Sequence, residues 1–247
     1  MKKLVVLIVV FLCVSSVGMT QILKRLLDVT KSKGPTQSEI VEGLKEALSV
    51  GTDTAVSHLS SINGYYKDKL VKILLPKEAD VILDNINKIP EGENLVNKVI
   101  LSINRAAEDA SKEAAPIFKS SITSMTISDA VGILKGSDNA ATEYLRKTTY
   151  NQLMSLYSPQ IKTSINKDLV GNISTADAWN NLIASWNKFA NSMLGRFGGY
   201  KPVNINLEEY LTQKALDGLF VKIAIEEKQI RKDPVARVTA ILKKIFV

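Results

Sequence analysis

The chain has 247 residues, of which 45% are hydrophobic and 23% are charged, and its formal net charge is +7. This composition excludes an intrinsically disordered protein, and the length is sufficient for a substantial hydrophobic core. The basic residues are interspersed with acidic ones and form no stripe with interleaved aromatics, so the sequence disfavours nucleic-acid binding.

The first residues have the layout of a secretory signal peptide. Lys2 and Lys3 precede an unbroken apolar stretch over residues 4–14, and small or polar residues follow. We therefore predict a signal peptide over residues 1–20 and a periplasmic or otherwise extracytoplasmic location, with an uncleaved anchor as the alternative. Leu12 precedes Cys13 where a lipoprotein signal needs a small residue, so no lipid attachment is expected. The mature chain then has no cysteine and no membrane span.

Residues 21–35 read as an N-terminal linker, and residues 36–247 as one helical domain. Thr36 stands three residues before Glu39 ahead of an apolar run, which is the pattern of a capping box. Apolar residues then recur at steps of three and four as far as Leu59, and Gly51 falls on this apolar face. We interpret that glycine as a close contact with another helix. Residues 71–76 (VKILLP) form a short extended segment with no obvious partner strand.

The remaining chain predicts further helices. Proline or capping residues mark several of their starts: Pro116, Ser137 or Asp138, Ser158-Pro159, Thr175, and Asn206 with Glu209. Residues 195–204 (GRFGGYKPVN) are predicted as a loop, and Asp233-Pro234 as a break before a last helix that runs to Phe246. The predicted fold class is all-α, a single-domain bundle of about eight helices with a long, buried C-terminal helix.

Carboxylates interrupt the apolar C-terminal helix at Asp217, Glu226 and Glu227. A lone buried carboxylate is costly, so each should be paired, hydrogen-bonded or protonated. There are three alternatives for these carboxylates. They form pairs that fix helix register, they belong to a ligand-binding or catalytic cluster, or they are simply exposed to solvent. Lys214, Arg105 and Arg146 are candidate partners for Asp217; Arg231 and Arg237 are candidates near the break. The candidate polar cluster comprises Asn104, Arg105, Glu108, Thr142, Arg146, Lys214, Asp217, Glu226, Glu227 and Arg231.

Established catalytic patterns are missing from the sequence. His58 is the only histidine, so a zinc site lacks ligands, and we expect a surface or packing role for it. The GxSxG elbow is absent, and GRFGGY lacks the spacing of a nucleotide-binding loop. We expect no cofactor and no metal. Trp179 and Trp186 lie seven residues apart on one helix face, which is typical of core residues.

Several long segments resemble a known family. They are GLKEALSVGTDTAV (43–56), NRAAEDASKEAAPIF (104–118), DAVGILKGSDNAATEYLRKTT (129–149) and YLTQKALDGLFVKIAIEEKQIRKDPVAR (210–237). In this order, over about residues 36–247, the chain resembles a bacterial family catalogued as domain of unknown function 4197. The resemblance implies an exported, predominantly helical protein and brings no established activity.

Three functions follow as hypotheses. The first is a non-enzymatic binding or scaffold protein for an envelope protein or small ligand; it predicts exposed apolar residues rimmed by charge. The second is a hydrolase of an envelope or sugar substrate, which predicts a pocket with two carboxylates, at least one with a raised pKa. The third is a carrier of an apolar ligand, with a cavity lined by Met125, Met154, Trp186 and Phe189.

Overall fold

The structure is a computed structural model, and it describes residues 34–246. Within this range it contains ten α-helices and no β-strand, so the all-α prediction is confirmed, with two more helices than the eight expected. The helices are α1 (Gln37–Leu59), α2 (Asp80–Asp84), α3 (Gly92–Ser111), α4 (Ala114–Ser124), α5 (Ala130–Leu134), α6 (Ala140–Ile165), α7 (Thr175–Ala190), α8 (Met193–Phe197), α9 (Leu207–Lys232) and α10 (Ala240–Ile245). Short 3₁₀ helices cover Lys77–Ala79, Ile86–Lys88 and Pro234–Ala236.

The long helix α9 is the centre of the domain, which spans Gln37–Val247 as one compact unit. It packs mainly against α1 and α6, while α7 packs on α3 and α10 packs on α1. The side chains of Leu216, Leu219 and Ile223 are fully buried along it. Asn206 caps its start by accepting the Glu209 N–H at 3.3 Å, and the helix ends before Asp233-Pro234, both as predicted.

Gly51 makes the predicted close contact between α1 and α9. A Cβ at this position would lie 3.4 Å from the Glu226 Cβ and 3.6 Å from the Ile223 carbonyl oxygen. These are ordinary van der Waals distances, so Gly51 lies in the contact between the two helices with room for a methyl group. The capping-box prediction at Thr36 agrees with the helix start, since α1 begins at Gln37.

Two helix boundaries differ from the prediction. Pro159 does not open a new helix but lies inside α6, which continues to Ile165. Tyr157 and Ile161 are fully buried on either side of the proline, so packing of both halves outweighs the one hydrogen bond that proline cannot donate. The N-cap of α6 is Asn139, one residue beyond Asp138.

The predicted loop over residues 195–204 begins inside the short helix α8. Behind it, Trp186 packs against Phe189 and Tyr200, with ring centroids 5.6 and 5.8 Å apart. Trp179 and Trp186 are both buried, so their core assignment is confirmed. The predicted signal peptide and most of the predicted linker lie outside the described residues.

Candidate binding groove

The buried carboxylate of Glu227 caps another helix. Its Oε1 accepts the Ala141 N–H at 3.0 Å, and its Oε2 accepts the Thr142 N–H at 2.7 Å and the Thr142 hydroxyl at 2.6 Å. Both amides belong to the first turn of α6, where N–H groups have no partner within the helix. Arg231 donates to Glu227 and also to the Leu134 carbonyl at the end of α5. This predicted pair is therefore structural.

Glu108, buried in α3, holds the loop that follows α1. Its Oε1 accepts the N–H groups of Tyr65 and Tyr66 at 3.1 and 3.0 Å. Its Oε2 accepts Arg105 Nη1 at 2.5 Å, and Arg105 Nη2 donates to the Asn63 side chain at 2.9 Å. All of these bonds stay within the domain, so this carboxylate also has a structural role.

Asn104 takes the place of a neighbouring strand beside the segment of residues 72–76. Its Oδ1 accepts the Ile73 N–H at 2.9 Å, and its Nδ2 donates to the Ile73 carbonyl at 2.7 Å. A single side-chain amide thus satisfies both polar groups of one extended residue. This contact explains how the apolar run VKILLP is held without a partner strand.

Asp217 is paired with Arg146, one of its three predicted partners. Arg146 Nη2 donates to Asp217 Oδ1, and the Tyr150 hydroxyl donates to the same oxygen at 3.3 Å. The guanidinium lies over the rings of Tyr150 and Phe220, 5.3 and 5.4 Å from their centroids. The side chains of Asp217 and Arg146 are 29% and 38% exposed, so this pair lies at the surface.

A further polar group joins α9 to the end of α1. Lys222 forms an ion pair with Asp68, and His58 Nε2 lies 3.2 Å from the same carboxylate. Burial raises the pKa of Glu226, and the charges of Lys222 and His58 oppose this shift. His58 is therefore a surface residue with a hydrogen-bond partner.

The ten predicted polar residues do not form one cluster. Within residues 34–246, no hydrogen bond or ion pair joins the Glu227, Glu108 and Asp217 groups to one another. Each carboxylate instead ties α9 or α3 to a neighbouring element. The interpretation as pairing that fixes helix register accounts for the geometry of all three groups.

A groove lies between residues 70–78 and one flank of α9. Its volume is about 720 Å³, and Leu70, Leu74 and Val221 are apolar residues of its lining. Leu70 and Leu74 are 66% and 58% exposed, so two leucine side chains add apolar surface to this wall. The α9 side of the groove is lined by Tyr210, Gln213, Lys214, Asp217, Gly218 and Val221.

The segment that forms the other wall alternates strictly between buried and exposed residues. Val71, Ile73 and Leu75 are buried, whereas Lys72 and Leu74 are exposed. This period of two is that of an extended chain, in which successive residues also direct their N–H and C=O groups to opposite edges. Since Ile73 is bonded to Asn104 on one edge, the edge formed by Lys72 and Leu74 is the one beside α9.

Tyr210 on α9 closes one end of this edge. Its hydroxyl donates to the Leu74 carbonyl at 2.7 Å, and burial together with the Glu78 charge raises its pKa to about 12. The tyrosine therefore remains a hydrogen-bond donor at physiological pH. Among residues 34–246, no hydrogen bond involves the Leu74 N–H or the Lys72 C=O. These two groups are available to a ligand.

The rim of the groove carries charges of both signs. The basic residues of the lining are Lys72, Lys77 and Lys214, and the acidic ones are Glu78, Asp80 and Asp217. Asp217 is paired with Arg146. The Lys214 ammonium lies 5.9 Å from the Tyr210 ring centroid. Of the predicted cluster, only Lys214 and Asp217 line this groove.

Sequence reasoning missed the apolar residues of the groove. Leu70, Leu74 and Val221 are ordinary hydrophobic residues in the sequence, and only the structure shows that they are exposed. The sequence did contain one indication of this site. Residues 71–76 form an apolar run for which no partner strand could be assigned.

The part of the chain that the structure describes contains no group of three or more His, Cys, Asp or Glu side chains arranged to hold a metal ion. Within the same residues, no helix combines the length and apolar character that crossing a bilayer requires.

Comparison with protein families assigns the chain to one of them. A family model described as a protein of unknown function (DUF4197) matches residues 34–247. The chain belongs to the DUF4197 family. This result confirms the resemblance in the sequence. Neither a curated protein nor a solved structure matches this DUF4197 protein significantly, so neither comparison assigns it an activity.

Proposed function

We propose that this DUF4197 protein is a non-enzymatic binding protein whose groove takes an extended segment of a partner polypeptide. The observation that carries the proposal is the edge formed by Lys72 and Leu74. It presents a free C=O and a free N–H beside exposed leucines at positions 70 and 74. A peptide in extended conformation supplies backbone N–H and C=O groups for this edge and apolar side chains for the two leucines.

The Lys72 C=O and the Leu74 N–H are spaced so that one residue of an added peptide strand can bond to both. In a parallel pairing, a peptide residue opposite Ile73 donates its N–H to the Lys72 carbonyl and accepts the Leu74 N–H with its own carbonyl. Tyr210 occupies the Leu74 carbonyl, so the backbone pairing stops there. Apolar peptide side chains then contact Leu70, Leu74 and Val221, and the mixed rim charges suit a peptide better than a polyanion.

The geometry favours this function over the hydrolase hypothesis. That hypothesis needs a raised carboxyl pKa and a second carboxylate within one pocket. Burial raises the pKa of the Glu226 carboxyl, but Glu226 does not line the groove. Asp217, which lines the groove together with Glu78 and Asp80, is occupied by Arg146 and Tyr150.

The carrier hypothesis receives no support from the aromatic residues on which it depends. The rings of Trp186 and Phe189 are 5.6 Å apart, and both contact Tyr200. These side chains fill the space that a carried ligand would occupy. The proposed setting of peptide binding remains the extracytoplasmic space, on the basis of the signal-like residues 1–20.

The proposal is tested by selecting random peptides from a displayed library on the purified protein. Leu74→Asp replaces an apolar side chain of the groove by a charged one, and Val235→Asp is the matched control. Val235 is 86% exposed and lies on the 3₁₀ helix Pro234–Ala236, outside the groove lining.

We expect enriched peptides that bind the wild type and Val235→Asp equally. Burial of a leucine side chain contributes roughly 1.5–3 kcal/mol, so Leu74→Asp should weaken their binding at least about tenfold. Failure to enrich any peptide, or peptides that bind Leu74→Asp as well as the wild type, would contradict the proposal.

A further inference from the structure

The short helix α8 exposes three large apolar side chains on one side. Met193, Leu194 and Phe197 are 84%, 79% and 92% exposed. At about 100° per residue, positions 193, 194 and 197 fall within one 100° arc of the helix. No other helix among the described residues exposes three large apolar side chains to this degree.

The surrounding structure fixes this exposure. The Ser192 hydroxyl accepts the Gly195 N–H at 3.1 Å, and a Cβ on Gly195 would lie 2.2 Å from the Phe189 carbonyl oxygen. The buried side of α8 is therefore already in contact with the end of α7. On the other side of the loop, Trp186 Nε1 donates to the Lys201 carbonyl at 3.0 Å. Turning the three side chains inward would break these contacts.

The segment of the chain that carries α8 has charges of one sign. Residues 178–207 contain no aspartate or glutamate, whereas they include Lys188, Arg196 and Lys201. All three basic side chains are exposed, and none forms an ion pair within residues 34–246. Exposed basic side chains beside projecting apolar residues are complementary to an anionic surface with an apolar interior.

We propose that α8 docks this protein onto a bilayer that contains anionic phospholipid. Met193, Leu194 and Phe197 enter the acyl boundary, while Lys188, Arg196 and Lys201 contact the headgroups. The basic side chains beside these apolar residues favour an anionic bilayer over an uncharged apolar partner. The α8 residues do not line the groove, so this inference is independent of peptide binding.

The test must report on α8 itself, because the apolar residues 4–14 can also bind lipid. In full-length Cys13→Ser protein, Met193→Cys is labelled with the environment-sensitive dye NBD. The matched control carries the same dye at Val235→Cys. Each protein is mixed with vesicles of phosphatidylcholine alone or of phosphatidylcholine and phosphatidylglycerol in equal parts.

We expect the dye at position 193 to become blue-shifted and brighter with phosphatidylglycerol vesicles, and much less so with phosphatidylcholine or at high salt. The dye at position 235 should stay in water. Phe197→Ser should lower the partition coefficient measured at position 193 by roughly tenfold or more. A water-exposed dye at position 193 with both vesicle types would overturn the proposal. So would a spectral change that depends on protein concentration without vesicles, because it would make α8 a self-association surface.

Discussion

Glu227 and Arg231 lie one turn apart on α9, and the Arg231 Nε donates to the Glu227 carboxylate at 2.8 Å. The carboxylate caps α6, and the guanidinium binds the last carbonyls of α5. One ion pair therefore holds three helices together. This arrangement explains why carboxylates occur in the most buried helix of the chain.

Replacing Glu227 by glutamine should strongly destabilise the fold. The change leaves Arg231 without its counter-charge and puts an amide group at the start of α6. Breaking a buried ion pair costs roughly 3–5 kcal/mol of unfolding free energy. Glu42→Gln, at an exposed position of α1, is the control and should change stability by less than about 0.5 kcal/mol. Urea denaturation measures both, and equal effects would contradict the structural role of Glu227.

Asp217→Asn should have a much smaller effect than Glu227→Gln. Its pair with Arg146 is about one-third exposed, so solvent screens the interaction. Exposed ion pairs contribute up to about 1 kcal/mol, and we expect a loss of that size or less. A double-mutant cycle with Arg146→Met gives the pairwise free energy. A coupling of several kcal/mol would show that Asp217 is a buried structural residue after all.

Two helix glycines should respond to alanine with opposite signs. At Gly218 an added Cβ would lie 2.6 Å from Tyr65 Cε1, and the Tyr65 hydroxyl is bonded to the Ala215 carbonyl at 2.8 Å. The ring cannot easily move, so Gly218→Ala should lower the unfolding free energy by about 1–3 kcal/mol. At Gly51 the nearest atom is 3.4 Å away, so Gly51→Ala should raise it by up to about 1 kcal/mol through helix propensity. Denaturation curves that shift in the same direction would contradict this packing.

Asp109 should make stability depend on pH on the acidic side. Burial by itself raises the pKa of Asp109, but hydrogen bonds from Lys167, Lys112 and Ser164 outweigh it and hold the pKa below its usual value. A lowered folded-state pKa stabilises the protein above the unfolded-state pKa, and this contribution is lost as the pH falls through the folded-state pKa.

The corresponding experiment compares Asp109→Asn with the wild type by urea denaturation across a pH series. The wild type should be more stable at neutral pH, and the difference should disappear at a pH below the folded-state pKa of Asp109. Asp84→Asn, at an exposed position with no hydrogen bond from its side chain within residues 34–246, is the control. A difference that stays constant with pH would show that the Asp109 contacts do not depend on its charge.

Local signals in the sequence were enough for much of the fold. The Asn206–Glu209 spacing located the start of α9, and Gly51 on an apolar face indicated a contact with another helix, which the structure identifies as α9. The pairing of Glu227 with Arg231 also followed from the cost of burying a charge. These features depend on residues within one or two helical turns.

Features set by tertiary packing could not be predicted in this way. Pro159 looked like a helix start, but burial of Tyr157 and Ile161 keeps α6 continuous through it. The exposure of Leu74 depends on Asn104, 30 positions further along the chain, which binds the backbone of Ile73. A sequence pattern shows that a residue is apolar, but it does not show which neighbour covers it.

The most direct test of the binding account is the affinity of a selected peptide for Leu74→Pro and Leu74→Ala, measured by calorimetry. Proline removes the free N–H while the extended conformation is retained, and alanine keeps the N–H but loses more apolar surface. The account predicts that Leu74→Pro binds at least about tenfold more weakly than Leu74→Ala, because the peptide carbonyl is left unpaired. Equal or tighter binding by Leu74→Pro would show that the Leu74 edge does not pair with the peptide.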